Sequence, residues 1–296
     1  MSPGKSGYLL VLTAAVMWSL GGFLVKVLTQ TYCVDPRAVA CLRSTVAALV
    51  LSWALPRLRN VPRGRVIGAG ISYTFVVLAF VVSTSGTTAA NAIFLQYAYP
   101  LFVAVGAVFL FGESLGRRTI LALIIGMSGI ALILICSWTP GQREGVAYGF
   151  MSAFAFAAFT LFQRSMRDGH PIAMSSFHNL LAAALILPLA WGRFHISVQA
   201  LIIVAVMGMV QLGIPYVLFI RGLKSVPATD AALITLVEPV LNPIWVWLII
   251  GEAPHGSTIL GGAMILVALL TRFVGGRRAE PDEGIEAKEE GDADSR

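Results

Sequence analysis

Apolar residues run along this chain in long blocks, with polar and charged residues collected between them. Ten blocks are long enough to read as helices: roughly 8–28, 37–55, 65–83, 88–111, 118–137, 145–164, 172–190, 198–220, 229–250 and 256–274. At 1.5 Å of rise per residue, blocks of about 20 residues cross the apolar layer of a bilayer. Short connectors separate them, such as "LPRLRNVPRGR", "STSGTT", "FGESLGRR", "SWTPGQREG" and "GEAPHG". The pattern predicts an all-α membrane protein of ten transmembrane helices.

Composition agrees with the pattern. Of 296 residues 57% are hydrophobic and 12% charged, with a mean hydropathy of +0.81. A soluble domain carries about 25% charged residues. So little charge cannot clothe a surface in water, and the lipid bilayer is the expected surrounding. The net charge of +6 conceals an acidic tail: from Gly275 on, eight acids face four bases. Residues 275–296 are almost free of apolar groups and are expected to be disordered. The basic excess of the remainder sits in the connectors, which argues against a nucleic-acid partner and for membrane orientation. With the N-terminus inside, the cytoplasmic side holds fourteen Lys and Arg and the other side only Arg37, Arg143 and Arg193. Both termini are therefore expected in the cytoplasm. The three cysteines have no metal-ligand spacing, and no metal or cofactor is expected. The apolar start continues through Val25 without a cleavage signal and reads as a first span.

The chain repeats itself. "TTAANAIFLQYAYPLFVAVGAVFLFGE" (87–113) aligns with "VPATDAALITLVEPVLNPIWVWLIIGE" (226–252) at an offset of 139 residues, which sets Pro100 on Pro239 and Gly112-Glu113 on Gly251-Glu252. Five spans per half force the halves into the membrane in opposite senses. Such inverted repeats belong mainly to transporters, with the substrate held near the midplane between the halves. The expected halves are 7–138 and 145–274.

These features, and above all "EPV…GE" in the second half, resemble the drug/metabolite transporter superfamily and, within it, the EamA-type family over about residues 7–274. The pattern is most similar to YddG-type amino-acid exporters of bacterial inner membranes. The resemblance implies a central cavity lined by the first, third, fourth, sixth, eighth and ninth helices, with small organic solutes carried outward and no ATPase domain. No G-x-x-x-x-G-K-[ST] run is present.

Candidate chemistry concentrates in the ninth span. Thr235, Glu238, Asn242 and Trp245 fall at i, i+3, i+7 and i+10 on one face. Gln96 and Tyr99 occupy matching positions in the fourth. A carboxylate at the depth of Glu238 costs about 3 kcal/mol or more if it faces lipid, so it must face a cavity or a partner. Glu238 reads equally as a substrate-ammonium or proton contact and as a carboxyl that serves backbone freed by Pro239. Pro100 and Pro239 are a symmetric pair of bends suited to gating. Gly112-Glu113 and Gly251-Glu252 read first as helix ends, with a gate hydrogen bond as the alternative. Further cavity candidates are Trp18, Tyr73, Asn91, Tyr97, Gln163, Gln211, Tyr216 and Trp247. Aromatic walls with a few amides suit a zwitterion with an apolar side chain, and equally a hydrophobic amine. Lys26 and Arg43 are expected to snorkel to the outer surface. His178 is expected to make a structural hydrogen bond rather than relay protons.

The expected function is export of amino acids, aromatic or otherwise neutral, or of related metabolites by alternating access. Protons are an optional second partner, and a single chain is expected to suffice. A multidrug or hydrophobic-amine exporter of the same superfamily is the alternative. An intramembrane enzyme is disfavoured: "GMSGI" is not a nucleophile elbow, and there is no pair of intramembrane aspartates.

Overall fold

The computed structural model describes residues 3–58, 61–112, 115–166, 169–223, 225–226, 231 and 234–274. Glu113, Asp230 and the acidic tail lie outside them. The described residues are helical, with no strand among them. Eight helices are long and apolar enough to cross a membrane: α1 (Ser6–Thr31), α2 (Pro36–Arg57), α3 (Arg63–Gly86), α4 (Ala89–Leu110), α5 (Arg117–Ser137), α6 (Arg143–Gln163), α7 (Pro171–Ala190) and α8 (Val198–Leu223). Two shorter apolar helices follow, α9 (Val237–Ile250) and α10 (Gly256–Thr271). The start of the segment expected at 229–250 falls partly outside the described residues.

Local chemistry sets the helix ends. Asp35 caps α2 by accepting from the Arg37 amide at 2.8 Å, with Pro36 in the first turn, where no N–H is needed. Thr88 caps α4 and Ser197 caps α8 in the same way. At the other end, α4 and α9 stop on Gly112 and Gly251, whose φ values of 68° and 81° are left-handed. A side chain is strained there, which explains the glycine of each Gly-Glu pair.

Large apolar side chains cover the outside, among them Leu49, Phe109, Ile124 and Ile135. Trp53, Trp138 and Trp191 are exposed near helix ends, as an interfacial belt requires. Inside, packing follows an exchange of halves. α1 packs along α8 and α3 along α6, while α2 pairs with α7 and α5 with α10. Moving the first half onto the second turns the α1–α8 pair into the α6–α3 pair and returns the other two pairs to themselves.

The α5–α10 seam is closed backbone to backbone. A Cβ added at Gly129 would stand 2.6 Å from the Gly261 carbonyl oxygen, and one at Gly261 would stand 2.7 Å from the Gly129 oxygen. Neither carbonyl can rotate away as a side chain would. Gly261→Leu is therefore expected to destabilise the protein by about 1–3 kcal/mol through overpacking, read as an earlier unfolding transition in detergent. An unchanged transition would show that the seam can part.

Candidate functional site

Three central helices are interrupted at mid-length. α1 is broken at Leu20, between helical stretches ending at Ser19 and beginning at Gly21. α4 is broken at Tyr97–Ala98 and resumes with Tyr99-Pro100. The ninth segment turns at Leu236 and resumes with Val237-Glu238-Pro239. The breaks in the fourth and ninth segments lie at corresponding places of the repeat, two or three residues before its proline. Each Pro lacks the N–H that would tie it to the preceding turn. Backbone left without partners at membrane depth is tolerated only where it is buried in protein or lines a cavity, so the breaks mark the interior.

The broken helices face one another through side chains. The Tyr97 hydroxyl donates to Glu238 Oε2 at 2.6 Å and lies 3.2 Å from the Thr235 carbonyl oxygen. Two turns further along the same helix, Trp245 Nε1 donates to Ser19 Oγ at 2.9 Å. Asn242 is fully buried and packs on Gly22, where an added Cβ would collide with its amide oxygen. Gln211 of α8 lies against Gly21 and donates to the Trp18 carbonyl oxygen at 3.4 Å. Gly21 and Gly22 thus open the space beside the α1 break that two amides fill. Both polar atoms of Asn242 and Oε1 of Gln211 have no hydrogen-bond partner among the described residues. Buried amide groups left unpaired cost about 1–3 kcal/mol each.

A wall of rings runs away from Glu238. Tyr97 meets Tyr99 edge-on, and Tyr99 stacks on Phe156 of α6 at 4.0 Å between centroids. Phe156 leads to Phe159, and Phe159 packs on Tyr73 of α3 at 5.3 Å and on His178 of α7 at 5.3 Å. Tyr73 donates to Asn179 Oδ1 at 3.1 Å, and Tyr216 hydrogen-bonds Ser175.

The expected residues divide among several places. Glu238, Asn242, Trp245, Trp18 and Gln211 gather around the α1 and ninth-segment breaks, with Trp18 against Phe219 at 5.2 Å. Tyr99 and Tyr73 belong to the ring wall, and Tyr216 is held by Ser175 of α7. Gln96 is buried and donates to Ser152 of α6 at 2.7 Å. Gln163 lies at the end of α6 with a buried, unpartnered Oε1. Asn91 is not offered to a cavity. Its amide is taken up by Thr87, Gln142 and Thr258 at 2.9, 3.4 and 2.6 Å. Trp247 is exposed on the outer face of α9. The turn at Leu236 sets off only Thr235 from this stripe; Glu238, Asn242 and Trp245 share α9, where Glu238 meets Tyr97 of the fourth segment and Asn242 and Trp245 meet Gly22 and Ser19 of α1.

Three ionisable residues differ from expectation. Lys26 does not snorkel; it is 3% exposed, and its ammonium meets Glu252 Oε2 at 2.6 Å and donates to the Thr87 carbonyl oxygen at 2.8 Å. Glu252 Oε1 accepts from the Ala89 amide at 2.7 Å. The glutamate after the helix-ending glycine therefore ties α1 to the first turn of α4, across the two halves. Burial closes the snorkel route, because the stem of Lys26 is enclosed by packed helices. Arg43 is likewise 3% exposed. His178 makes no hydrogen bond among the described residues; both ring nitrogens are buried without partners between aromatic rings. No cluster that could hold a metal ion occurs among the described residues.

Membrane-length helices broken around a buried polar and aromatic lining define a multi-pass solute transporter. The chain belongs to the EamA-like transporter family, whose model matches it twice, over residues 5–135 and 143–273. It is 24% identical to the pseudopaline exporter of Pseudomonas aeruginosa, covering 90% of this chain and 95% of that one. It is 24% identical to a probable amino-acid metabolite efflux pump of Salmonella typhimurium, covering 92% and 96%. An uncharacterized transporter of Archaeoglobus fulgidus is 29% identical over 71% of this chain and 76% of its own. One crystal structure shares the fold, with a TM-score of 0.65 at 19% identity, covering 94% of this chain and 99% of its own.

Proposed function

We propose that this membrane transporter exports neutral amino acids, aromatic ones among them, or closely related small metabolites, across a bacterial inner membrane. In this reading the chain has ten spans as two inverted five-helix halves, 7–138 and 145–274, with both termini in the cytoplasm. The halves rock about a midplane site. The observation that carries the reading is the Tyr97–Glu238 contact of 2.6 Å between the facing breaks of the fourth and ninth segments. It sets one carboxyl at the head of a wall of rings, the combination that an ammonium group with an apolar side chain would use. Asn242 and Gln211 supply amide contacts beside it, and Pro100 and Pro239 keep both segments interrupted there. Names of similar proteins in two bacteria, a pseudopaline exporter and a probable amino-acid metabolite efflux pump, support the direction and the solute class.

The Lys26–Glu252 link lies at the non-cytoplasmic ends of the first and ninth spans in this orientation. It would close the outer side while the inner side loads.

Purified protein in liposomes loaded with labelled amino acids tests the reading, with and without a pH gradient. Saturable, protein-dependent efflux of an aromatic or other neutral amino acid is expected. Flux of hydrophobic amines with no flux of any amino acid would overturn the solute assignment in favour of an amine exporter. Equal flux with and without the gradient would remove protons as a second partner.

A further inference from the structure

We propose that Arg43 is the anchor for an anionic group of the transported solute, a carboxylate, in a second pole of the binding region beyond the ring wall. The inference rests on the small-solute reading above.

Arg43 lies two turns into α2, between buried Val39, Ala40 and Ala47. The α8 backbone closes on it: a Cβ at Gly208 would stand 2.7 Å from the Arg43 carbonyl oxygen. Its guanidinium makes no salt bridge or hydrogen bond among the described residues, and Nε is buried without a partner. The one compensation is the Phe80 ring, 6.0 Å from Cζ, at the limit of a useful cation–π contact. Arginine stays charged in proteins. A cation enclosed among helices needs a paired anion, or it weakens the fold.

The described acids are all placed elsewhere. Glu238 faces Tyr97, Glu252 holds Lys26, Asp35 pairs with Arg193 at 2.9 Å, and Glu144 is exposed in the first turn of α6. The surroundings suit an incoming anion. Tyr73, two helical turns before Phe80 on the same face of α3, brings a neutral phenol rather than a carboxylate to this side. Lys26 is committed to Glu252, so one guanidinium stands alone, which fits a monoanion better than a phosphate dianion. The ring wall from Tyr97 to Tyr73 lies between this cation and the Glu238 carboxyl, so the two poles hold a solute in turn and not together, since the ammonium and carboxylate of an amino acid share one carbon.

Thermal unfolding of the full chain in low-salt detergent tests the site, with phenylalanine, 3-phenylpropionate and phenethylamine as probes. Wild type should be stabilised saturably by the two carboxylates. Arg43→Met should raise the unfolding temperature of the ligand-free protein and weaken carboxylate binding at least tenfold, leaving any response to phenethylamine unchanged. Arg43→Lys should keep part of the carboxylate response, and it decides the matter if the Met variant does not fold. The proposal is overturned if wild type ignores both carboxylates, if chloride reproduces their effect, or if the variants lose amine and carboxylate alike. Amino-acid flux that survives Arg43→Met unchanged removes this site and spares the exporter reading. Phenylpropionate held through Arg43 without amino-acid flux does the reverse.

Discussion

Glu252→Ala is expected to destabilise the protein by about 3–5 kcal/mol, the cost of leaving a buried charge without its partner. The Lys26 ammonium would keep only the Thr87 carbonyl oxygen, at 2.8 Å. The α4 amide at Ala89 would lose its acceptor in the same step. Lys26→Met should cost less, because Glu252 is 21% exposed and retains the Ala89 amide. The double variant Lys26→Met/Glu252→Ala should be more stable than Glu252→Ala alone, since no charge is then stranded. Unfolding of the four proteins in detergent gives the cycle directly. Simple additivity of the two single changes would mean that the ion pair contributes nothing beyond its separate halves.

Glu238→Gln is expected to lower the transport rate by at least tenfold while the protein remains folded. A hydrogen bond to a charged group is worth about 1.5–3 kcal/mol, and 1.4 kcal/mol corresponds to a factor of ten. Glutamine keeps the size and can still accept from Tyr97, so a loss would report the carboxyl chemistry rather than packing. Tyr97→Phe should give a smaller loss, because it removes the donor and leaves the carboxyl in place. Unchanged transport in Glu238→Gln liposomes would assign the residue to structure alone.

The helices were legible because their signal is additive. Twenty apolar residues in a row outweigh any one polar residue, and eight of the expected segments coincide with membrane-length helices. Glu238 was legible for the opposite reason, as the residue that breaks both the apolar run and the repeat, standing where the first half has Tyr99. The Lys26–Glu252 pair was not read from the sequence. A lysine near a span end usually reaches water, and a glutamate after glycine usually punctuates a helix. Only packing brings together two residues so far apart in the chain. The orientation count did place both at the same membrane face, and opposite charges at matched depth were the available signal. His178 shows a second limit. Sequence spacing locates a side chain on a helix, but whether a partner lies within reach depends on neighbours from other helices, here Tyr73 and Phe159. Similarly, Asn91 has the sequence signature of a cavity amide, but Thr258 and Gln142 use its hydrogen-bonding capacity.

The glycine seam between α5 and α10 bears on how such a molecule can move. Most helix contacts absorb small shifts by exchanging side-chain rotamers, but here two carbonyl groups approach with no side chain between them. Such a joint has nothing to repack. It resists sliding and separation, whereas a small rotation about the point of contact changes little. The α5–α10 pair is therefore expected to stay together as one unit in any movement of the halves.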